Sequence, residues 1–234
     1  MKEKLTKCND IIAELKMLAS EKKLASMKRV KIKLDNALGV SINDIRKLAK
    51  EVEISLELAI ELWGTGIHEA RLLAGYVCPS EDLTQEIAEK WVADFDSWDL
   101  CDQVMDVICE ADFGWQKSVE WCDRPQEFVR RTGFAMFCYF AVHDKKADDE
   151  KFLSVCFPLI EKHCEDERNF VKKAVNWALR NIGKRNLNLN KEAVKLAESL
   201  LERNNKTASW IARDAIRELT SEKILARLKK KKLK

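Results

Sequence analysis

Residues that turn or break the backbone are rare in this sequence. It contains 7 glycines and 3 prolines among 234 residues, too few for the many tight turns that β-sandwiches and β-barrels require. Hydrophobic residues make up 46% of the chain and charged residues 35%, a balance that is typical of a folded protein and not of a disordered one. We therefore predict an all-α protein with short loops.

Two further absences bear on metals and membranes. No cysteines form a Cys-x-x-Cys pair and there are only 3 histidines, so no pattern typical of a zinc or redox site is present. Most of the 8 cysteines lie among apolar residues, where thiols behave as small hydrophobic side chains. The sequence shows neither an apolar run of membrane-spanning length nor the apolar core of a signal peptide. We expect a reduced, cytoplasmic and monomeric protein without a metal or cofactor.

Apolar residues recur at helical spacing along almost the whole chain. The pattern predicts about fourteen helices joined by short loops, and helix pairs recur roughly every 30–40 residues. This recurrence is typical of a solenoid, in which helix pairs stack and the concave side carries the function. A compact, non-repetitive bundle is the alternative. We predict a single domain over residues 1–234, with a Lys-rich tail from about residue 229.

Some helix boundaries can be predicted from individual residues. Ser41 is typical of a residue that caps a helix N-terminus. A helix over residues 27–38 is expected to stop at Gly39, because glycine favours the C-cap position. Pro158 is expected to kink or split a helix over residues 148–164, because proline lacks a backbone donor.

The stretch over residues 97–106 combines side chains that rarely share a buried face. Ser97 can cap the helix that follows, and Trp98, Asp102 and Asp106 recur four residues apart, so they lie along one side of that helix. An aromatic ring beside a carboxylate can hold a cation, because both attract positive charge. The alternatives are that Trp98 packs in the core and that Asp102 forms a structural ion pair.

Basic residues are not in large excess, because 42 Lys and Arg oppose 39 Asp and Glu and the formal charge is +3. A nucleic-acid surface would therefore have to be a local stripe. Three sets of side chains at helical spacing meet this condition: Arg130 with Arg131; Lys173 with Trp177, Arg180 and Lys184; and Arg213 with Arg217. If these residues lie on the inner helices of the solenoid, they would together form a positively charged groove. The alternative for each charged residue, taken singly, is a solvated position on the surface.

Three of these segments together resemble the DNA alkylation repair family, the AlkD-type DNA glycosylases. The matching segments are residues 97–102, the Arg130–Arg131 pair and residues 170–180, and the resemblance extends over residues 39–219. It implies a right-handed superhelical array of HEAT-like antiparallel helix pairs. The chain differs from the family at Ser97, where a second tryptophan is expected.

The resemblance also implies a role for each matching residue. Asp102 corresponds to the catalytic carboxylate, and Trp98 and Trp177 correspond to the rings that contact the sugar. Arg131 corresponds to the arginine that holds the DNA backbone. The implied substrate is duplex DNA with cationic alkylated purines, such as 3-methyladenine and 7-methylguanine, which the family removes in base excision repair.

One carboxylate is enough for this chemistry. An alkylated purine is already cationic and leaves readily without a general acid, and an anionic Asp102 would stabilise the oxocarbenium-like sugar and orient water. The second reading is a non-catalytic HEAT-like module that binds branched or damaged DNA, as inactive branches of the family would. The third is a scaffold for protein interactions, a common use of helical solenoids.

Overall fold

The structure is a computed structural model that describes residues 4–232. These residues form 15 α-helices and one π-helical turn, and the only β-pairing among them is a single bridge between Leu5 and Val52. The all-α prediction is therefore confirmed. None of the helices in this part of the chain is both long and apolar enough to cross a membrane.

The chain divides into two compact units, Met1–Gly114 and Trp115–Lys234. The prediction of one domain over the whole chain stays a prediction. The helices of the first unit are α1 (Cys8–Met17), α2 (Glu21–Arg29), α3 (Ile42–Ala49), α4 (Leu56–Gly64), α5 (His68–Val77), α6 (Gln85–Ala93) and α7 (Trp98–Glu110). Helix α5 is central, because it packs against α3, α4 and α7 and most of its residues are buried.

An irregular segment over residues 30–41 separates α2 from α3. The predicted helix over residues 27–38 is wrong, because α2 ends at Arg29 and Lys31 has a φ of 63°. Gly39 lies in this segment instead of closing a helix, and its φ of +81° favours glycine.

A distant carboxylate explains why residues 38–40 are not helical. The buried side chain of Glu69 accepts hydrogen bonds from three consecutive backbone N–H groups, at 2.8, 2.7 and 3.1 Å, in Leu38, Gly39 and Val40. A Cβ on Gly39 would lie 2.4 Å from the carbonyl oxygen of Ser20. The segment is therefore fixed by tertiary contacts.

The second unit contains the remaining elements. They are α8 (Gly114–Cys122, which begins at the unit boundary), α9 (Glu127–His143), α10 (Asp149–Lys151), the π-helical turn (Phe152–Cys156), α11 (Phe157–His163), α12 (Asn169–Gly183), α13 (Leu187–Leu201), α14 (Lys206–Leu219) and α15 (Glu222–Lys232). Helix α12 packs against both α9 and α14, and α13 packs against α12 and α14.

Two sequence predictions concern this unit. The interruption at Pro158 is confirmed, because the π-helical turn precedes α11 and Pro158 lies in the first turn of α11. The Lys-rich end is helical as far as Lys232, and the predicted tail from about residue 229 stays a prediction. Residues 233 and 234 lie outside the described residues.

All eight cysteines are free thiols, and every one except Cys8 is buried. Burial raises the pKa of Cys78 to about 12, and it also raises the pKa of Cys122, Cys156 and Cys164. Over residues 4–232 no three His, Cys, Asp or Glu side chains could together hold a metal ion. The thiols therefore act as packing groups in the core, as the sequence predicts.

Candidate functional site

Helix α7 carries the predicted aromatic and acidic face. Its apolar side, which includes Leu100 and Val104, is buried, whereas Trp98 and Asp102 are partly exposed and Asp106 is exposed. These three residues therefore lie away from the core of the first unit. This placement does not favour the alternative in which Trp98 is an ordinary core residue.

The ring of Trp98 is held by its edge. The indole Nε1–H donates a hydrogen bond to the carbonyl oxygen of Val30, with the two atoms 3.0 Å apart. Val30 begins the irregular segment whose other end is held by Glu69. A contact at the edge of the indole fixes the orientation of the ring and does not itself cover either face.

The first turn of α7 is fixed by a buried ion pair. His68 Nε2 lies 2.8 Å from Asp99 Oδ2, and both residues are only 6% exposed. Burial alone would lower the pKa of His68, but the hydrogen bond and charge of Asp99 outweigh it and raise that pKa. Burial alone would raise the pKa of Asp99, but His68 outweighs it and lowers that pKa. Asp99 is therefore a structural residue that positions the helix carrying Asp102.

A polar cluster beside Asp102 was not predicted from the sequence. Gln103 accepts hydrogen bonds from the Tyr76 hydroxyl and from the guanidinium of Arg46, the latter at 3.0 Å. Arg46 also donates to the Tyr76 oxygen at 3.0 Å. The cluster ties α3 and α5 to α7, and no single-residue signal indicates it because its members are far apart in the chain.

In the second unit, α12 presents a mixed face. Val171, Ala174 and Ala178 are buried, whereas Lys173 is exposed and Trp177 is partly exposed. Within residues 4–232 the indole of Trp177 has no hydrogen-bond or ring partner and Lys173 has no ion-pair partner. Both side chains are therefore open to a ligand.

Two carboxylates on α14 neutralise other predicted basic residues. Arg180 Nε lies 3.4 Å from Asp214, Lys184 Nζ lies 2.8 Å from Glu218, and Arg180 also pairs with Glu218. Burial alone would raise the pKa of Glu218, but Lys184 and Arg180 outweigh it and lower that pKa. These pairs join α12 to α14, and they reduce the net positive charge of this face.

The two arginines of α9 lie in structural contacts. Arg131 is 5% exposed and donates to the Phe170 carbonyl oxygen at 3.0 Å. Arg130 pairs with Asp166 at 2.8 Å, and Arg168 pairs with the same carboxylate. Despite its burial, the pKa of Asp166 is lowered to about 2 by these partners. Direct DNA contact by Arg130 or Arg131 stays a prediction, and neither the ion pair of Arg130 nor the burial of Arg131 favours it.

The α14 arginines lie beside an open cavity. Arg213 is exposed, and Arg217 is exposed but pairs with Asp214. With Trp210 they line a cavity of about 720 Å³. Trp210 was not among the predicted residues, because a lone tryptophan on an amphipathic helix does not show from sequence whether it is buried or exposed.

One family model matches most of this chain. Residues 11–219 match the family model described as DNA alkylation repair enzyme. The chain belongs to the DNA alkylation repair family. The resemblance seen in the sequence is thereby confirmed.

Solved structures similar to this DNA alkylation repair protein include two helical-repeat proteins. One belongs to a new family of proteins related to the HEAT-like repeat DNA glycosylases with affinity for branched DNA structures. It has a TM-score of 0.75 at 19% identity, covering 90% of this chain and 94% of that one. A designed armadillo repeat protein gives a TM-score of 0.39 at 17% identity, covering 88% of this chain and 91% of that one. A search of the curated proteins gives no match.

Ser97 marks a difference between this DNA alkylation repair protein and the pattern that the resemblance implies. It occupies the N-cap position of α7, as predicted, but its side chain accepts no capping hydrogen bond. The residue is 0% exposed. An indole at this position would have to displace its packed neighbours, so one partly exposed tryptophan, Trp98, begins the face of α7.

Proposed function

We propose that this protein is a DNA glycosylase that hydrolyses the N-glycosidic bond of cationic alkylated purines in duplex DNA. The substrates are 3-methyladenine and 7-methylguanine, and the reaction begins base excision repair. The observation that carries the proposal is the partly exposed pair of Trp98 and Asp102 on α7, in a chain that belongs to the DNA alkylation repair family. Its free thiols suit a reducing compartment, the cytoplasm.

The proposed reaction needs no acid to protonate the base. The bond between the sugar C1′ and the purine nitrogen breaks, its electron pair neutralises the cationic base, and positive charge develops on the sugar. Asp102 stabilises that charge and orients the water whose oxygen bonds to C1′, while the water proton passes to Asp102 or solvent. Trp98 packs against the sugar, where cation–π attraction contributes about 0.5–2 kcal/mol.

In the second unit we assign phosphate contacts to Lys173 and Arg213. Both side chains are exposed and have no ion-pair partner within the described residues. Trp177 lies one turn after Lys173 on the same helix and can pack against a sugar. Arg180 and Arg217 already pair with carboxylates, so their contribution to phosphate binding is smaller.

The test is the variant Asp102→Asn. It keeps the shape of the side chain but removes the charge that faces the developing cation, so release of 7-methylguanine under single-turnover conditions is expected to fall about 100-fold or more. Binding to the same DNA should survive, because Asp102 is not a phosphate contact. The matched control is Asp112→Asn, which neutralises an exposed carboxylate just after α7 and should leave release unchanged.

Two outcomes would revise the proposal. Equal release by the wild type and Asp102→Asn removes Asp102 from the mechanism. DNA binding without any base release by the wild type supports the second candidate function, a non-catalytic module for branched DNA. The structural match to a family with affinity for branched DNA structures favours that candidate. Competition between a four-way junction and a linear duplex measures the preference directly.

A further inference from the structure

Helix α14 presents an exposed tryptophan within a group of basic side chains. Trp210 is 41% exposed, and the ammonium of Lys172 lies 4.9 Å from the centroid of its ring. Lys206, one turn before Trp210, and Arg213, about one turn after it, line the same cavity of about 720 Å³. That volume lies within the range of roughly 300–1,000 Å³ that is usual for ligand sites.

The core of the second unit does not use this ring. The buried face of α14 consists of other residues, among them Ala208, Ile211 and Ala215. Within residues 4–232 no other aromatic ring packs against Trp210. An exposed indole places a large apolar surface in contact with water. Stacking against a flat ligand would remove that contact.

The one carboxylate in the cavity is already occupied. Asp214 pairs with Arg217 and with Arg180, and it accepts a hydrogen bond from Asn176 at 2.8 Å. Its negative charge is therefore largely neutralised. The remaining charges near Trp210 are cationic, so the cavity is suited to an anionic ligand that carries a flat ring.

We propose that Trp210 is a stacking platform for an unpaired nucleobase of DNA, with Lys206 and Arg213 holding the flanking phosphates. The inference rests on the proposed binding of DNA and adds to it a preference for DNA that also contains a single-stranded segment. Both faces of a base pair inside a duplex are covered by its neighbours, so the indole can stack on an unpaired base but not on an internal base pair. Stacking of this kind is tolerant of sequence, because every base has a π-face.

The experiment compares three probes at two or more salt concentrations. They are a blunt duplex, the same duplex with a single-stranded thymidine tail of about 8 nucleotides, and that tail alone. Trp210→Ala should weaken binding of the two probes with a tail by about 5- to 100-fold and leave the blunt duplex unchanged. Trp210→Phe should restore most of the binding, because phenylalanine keeps a ring to stack.

Two controls separate stacking from charge and from folding. Stacking releases no counterions, so Trp210→Ala should lower affinity without changing the dependence of log affinity on log salt, whereas Arg213→Ala should reduce that slope by about 0.7–0.9. Ile60→Ala removes an exposed apolar side chain elsewhere, one that is 43% exposed, and should change nothing. Thermal melting confirms that each variant is folded.

The outcomes distinguish this inference from the proposed function. If the wild type releases alkylated bases from duplex DNA but Trp210→Ala binds tailed probes normally, the stacking platform is overturned and the glycosylase stands. If binding of tailed probes depends on Trp210 but the wild type releases no base, the platform stands and the glycosylase is overturned. An equal loss of binding to all three probes also overturns the platform.

Discussion

At the scale of single residues, the environment of each charged group determines what it can do. Asp99 and Asp102 lie within one turn of α7, but Asp99 is buried against His68 and Asp102 is partly exposed. The same contrast separates the arginines, because Arg131 is buried and Arg213 is exposed. Residues of the same chemical type therefore have different roles: the buried ones stabilise the fold, and the exposed ones are candidates for contact with DNA.

The variant Trp177→Ala tests the exposed ring of α12. Because Trp177 is partly exposed, its loss should slow base release by about 2- to 30-fold, the equivalent of one cation–π contact. The loss in the free energy of unfolding should stay well below the roughly 3–5 kcal/mol that is typical of a Trp→Ala change in a protein core. Trp121→Ala is the comparison, because Trp121 is 0% exposed in the same unit and should show that full destabilisation. A collapse of the melting temperature of Trp177→Ala would identify it as a packing residue.

The His68–Asp99 pair predicts a pH dependence of stability. The folded pKa of His68 is raised above 6.5, so its contribution is full below that pH and is lost as pH rises through the raised value. The folded pKa of Asp99 is lowered below 3.8, so its contribution is full above that pH and is lost as pH falls through the lowered value. The pair therefore stabilises the fold most between about pH 4 and 6.5.

Melting curves of the wild type and Asp99→Asn across the pH range measure this contribution. The difference in melting temperature should be largest near pH 5–6, at about the middle of that window, and should shrink as the pH rises through the raised pKa of His68 and the imidazole loses its proton. Asp112→Asn, at an exposed position, should show no such dependence. A constant difference between Asp99→Asn and the wild type would mean that the pair is not charged.

At the scale of elements, local sequence determines most helices and long-range contacts determine the rest. Ser41 begins α3 as predicted, and its side chain accepts from the Asp44 N–H at 3.2 Å. Apolar spacing likewise located α7 and its exposed face. The segment over residues 30–41 could not be predicted, because Glu69, 30 residues beyond Gly39, provides its hydrogen bonds.

The candidate site shows the same division. Spacing alone predicts that Trp98 and Asp102 share a face, because helical geometry fixes the direction of side chains. Spacing does not show which carbonyl group an arginine meets, so the burial of Arg131 against Phe170 was not foreseen. Nor does it show the carboxylates that pair with Arg180, because these lie on another helix, α14.

The variant Glu69→Gln tests the link between α5 and the irregular segment. One carboxylate oxygen accepts from Leu38 and the other from Gly39 and Val40. An amide has only one acceptor oxygen, so at least one buried N–H loses its partner at a cost of about 1–3 kcal/mol. The melting temperature should fall and amide exchange over residues 38–40 should accelerate. Glu57→Gln, at an exposed position, is the control, and unchanged exchange in Glu69→Gln would refute the link.

At the scale of the whole molecule, charge is balanced overall and uneven locally. The formal charge is only +3, so general attraction to a polyanion is weak and specific exposed cations must carry the proposed DNA binding. The fold itself tolerates wide variation in side chains, because a chain of 19% identity gives a TM-score of 0.75. The proposed DNA binding therefore depends on a few surface positions of a fold that many sequences can form.

The double variant Lys173→Ala with Arg213→Ala tests those positions together. Removing two phosphate contacts should reduce the slope of log affinity against log salt for duplex DNA by about two units. Lys191→Ala with Lys195→Ala, which removes two exposed charges from α13, should leave the slope nearly unchanged. An unaltered slope in the first double variant would show that neither side chain contacts phosphate.

The buried cysteines have a chemical consequence for a protein proposed to act on alkylated DNA. Sulfur reacts with methylating electrophiles as the thiolate, not as the thiol. Burial raises the pKa of Cys78, Cys122 and Cys156, so these sulfurs stay protonated at neutral pH and are shielded from solvent. The reagents that damage purines would thus react slowly with these thiols, and the native protein would stay intact under the conditions that create its proposed substrate.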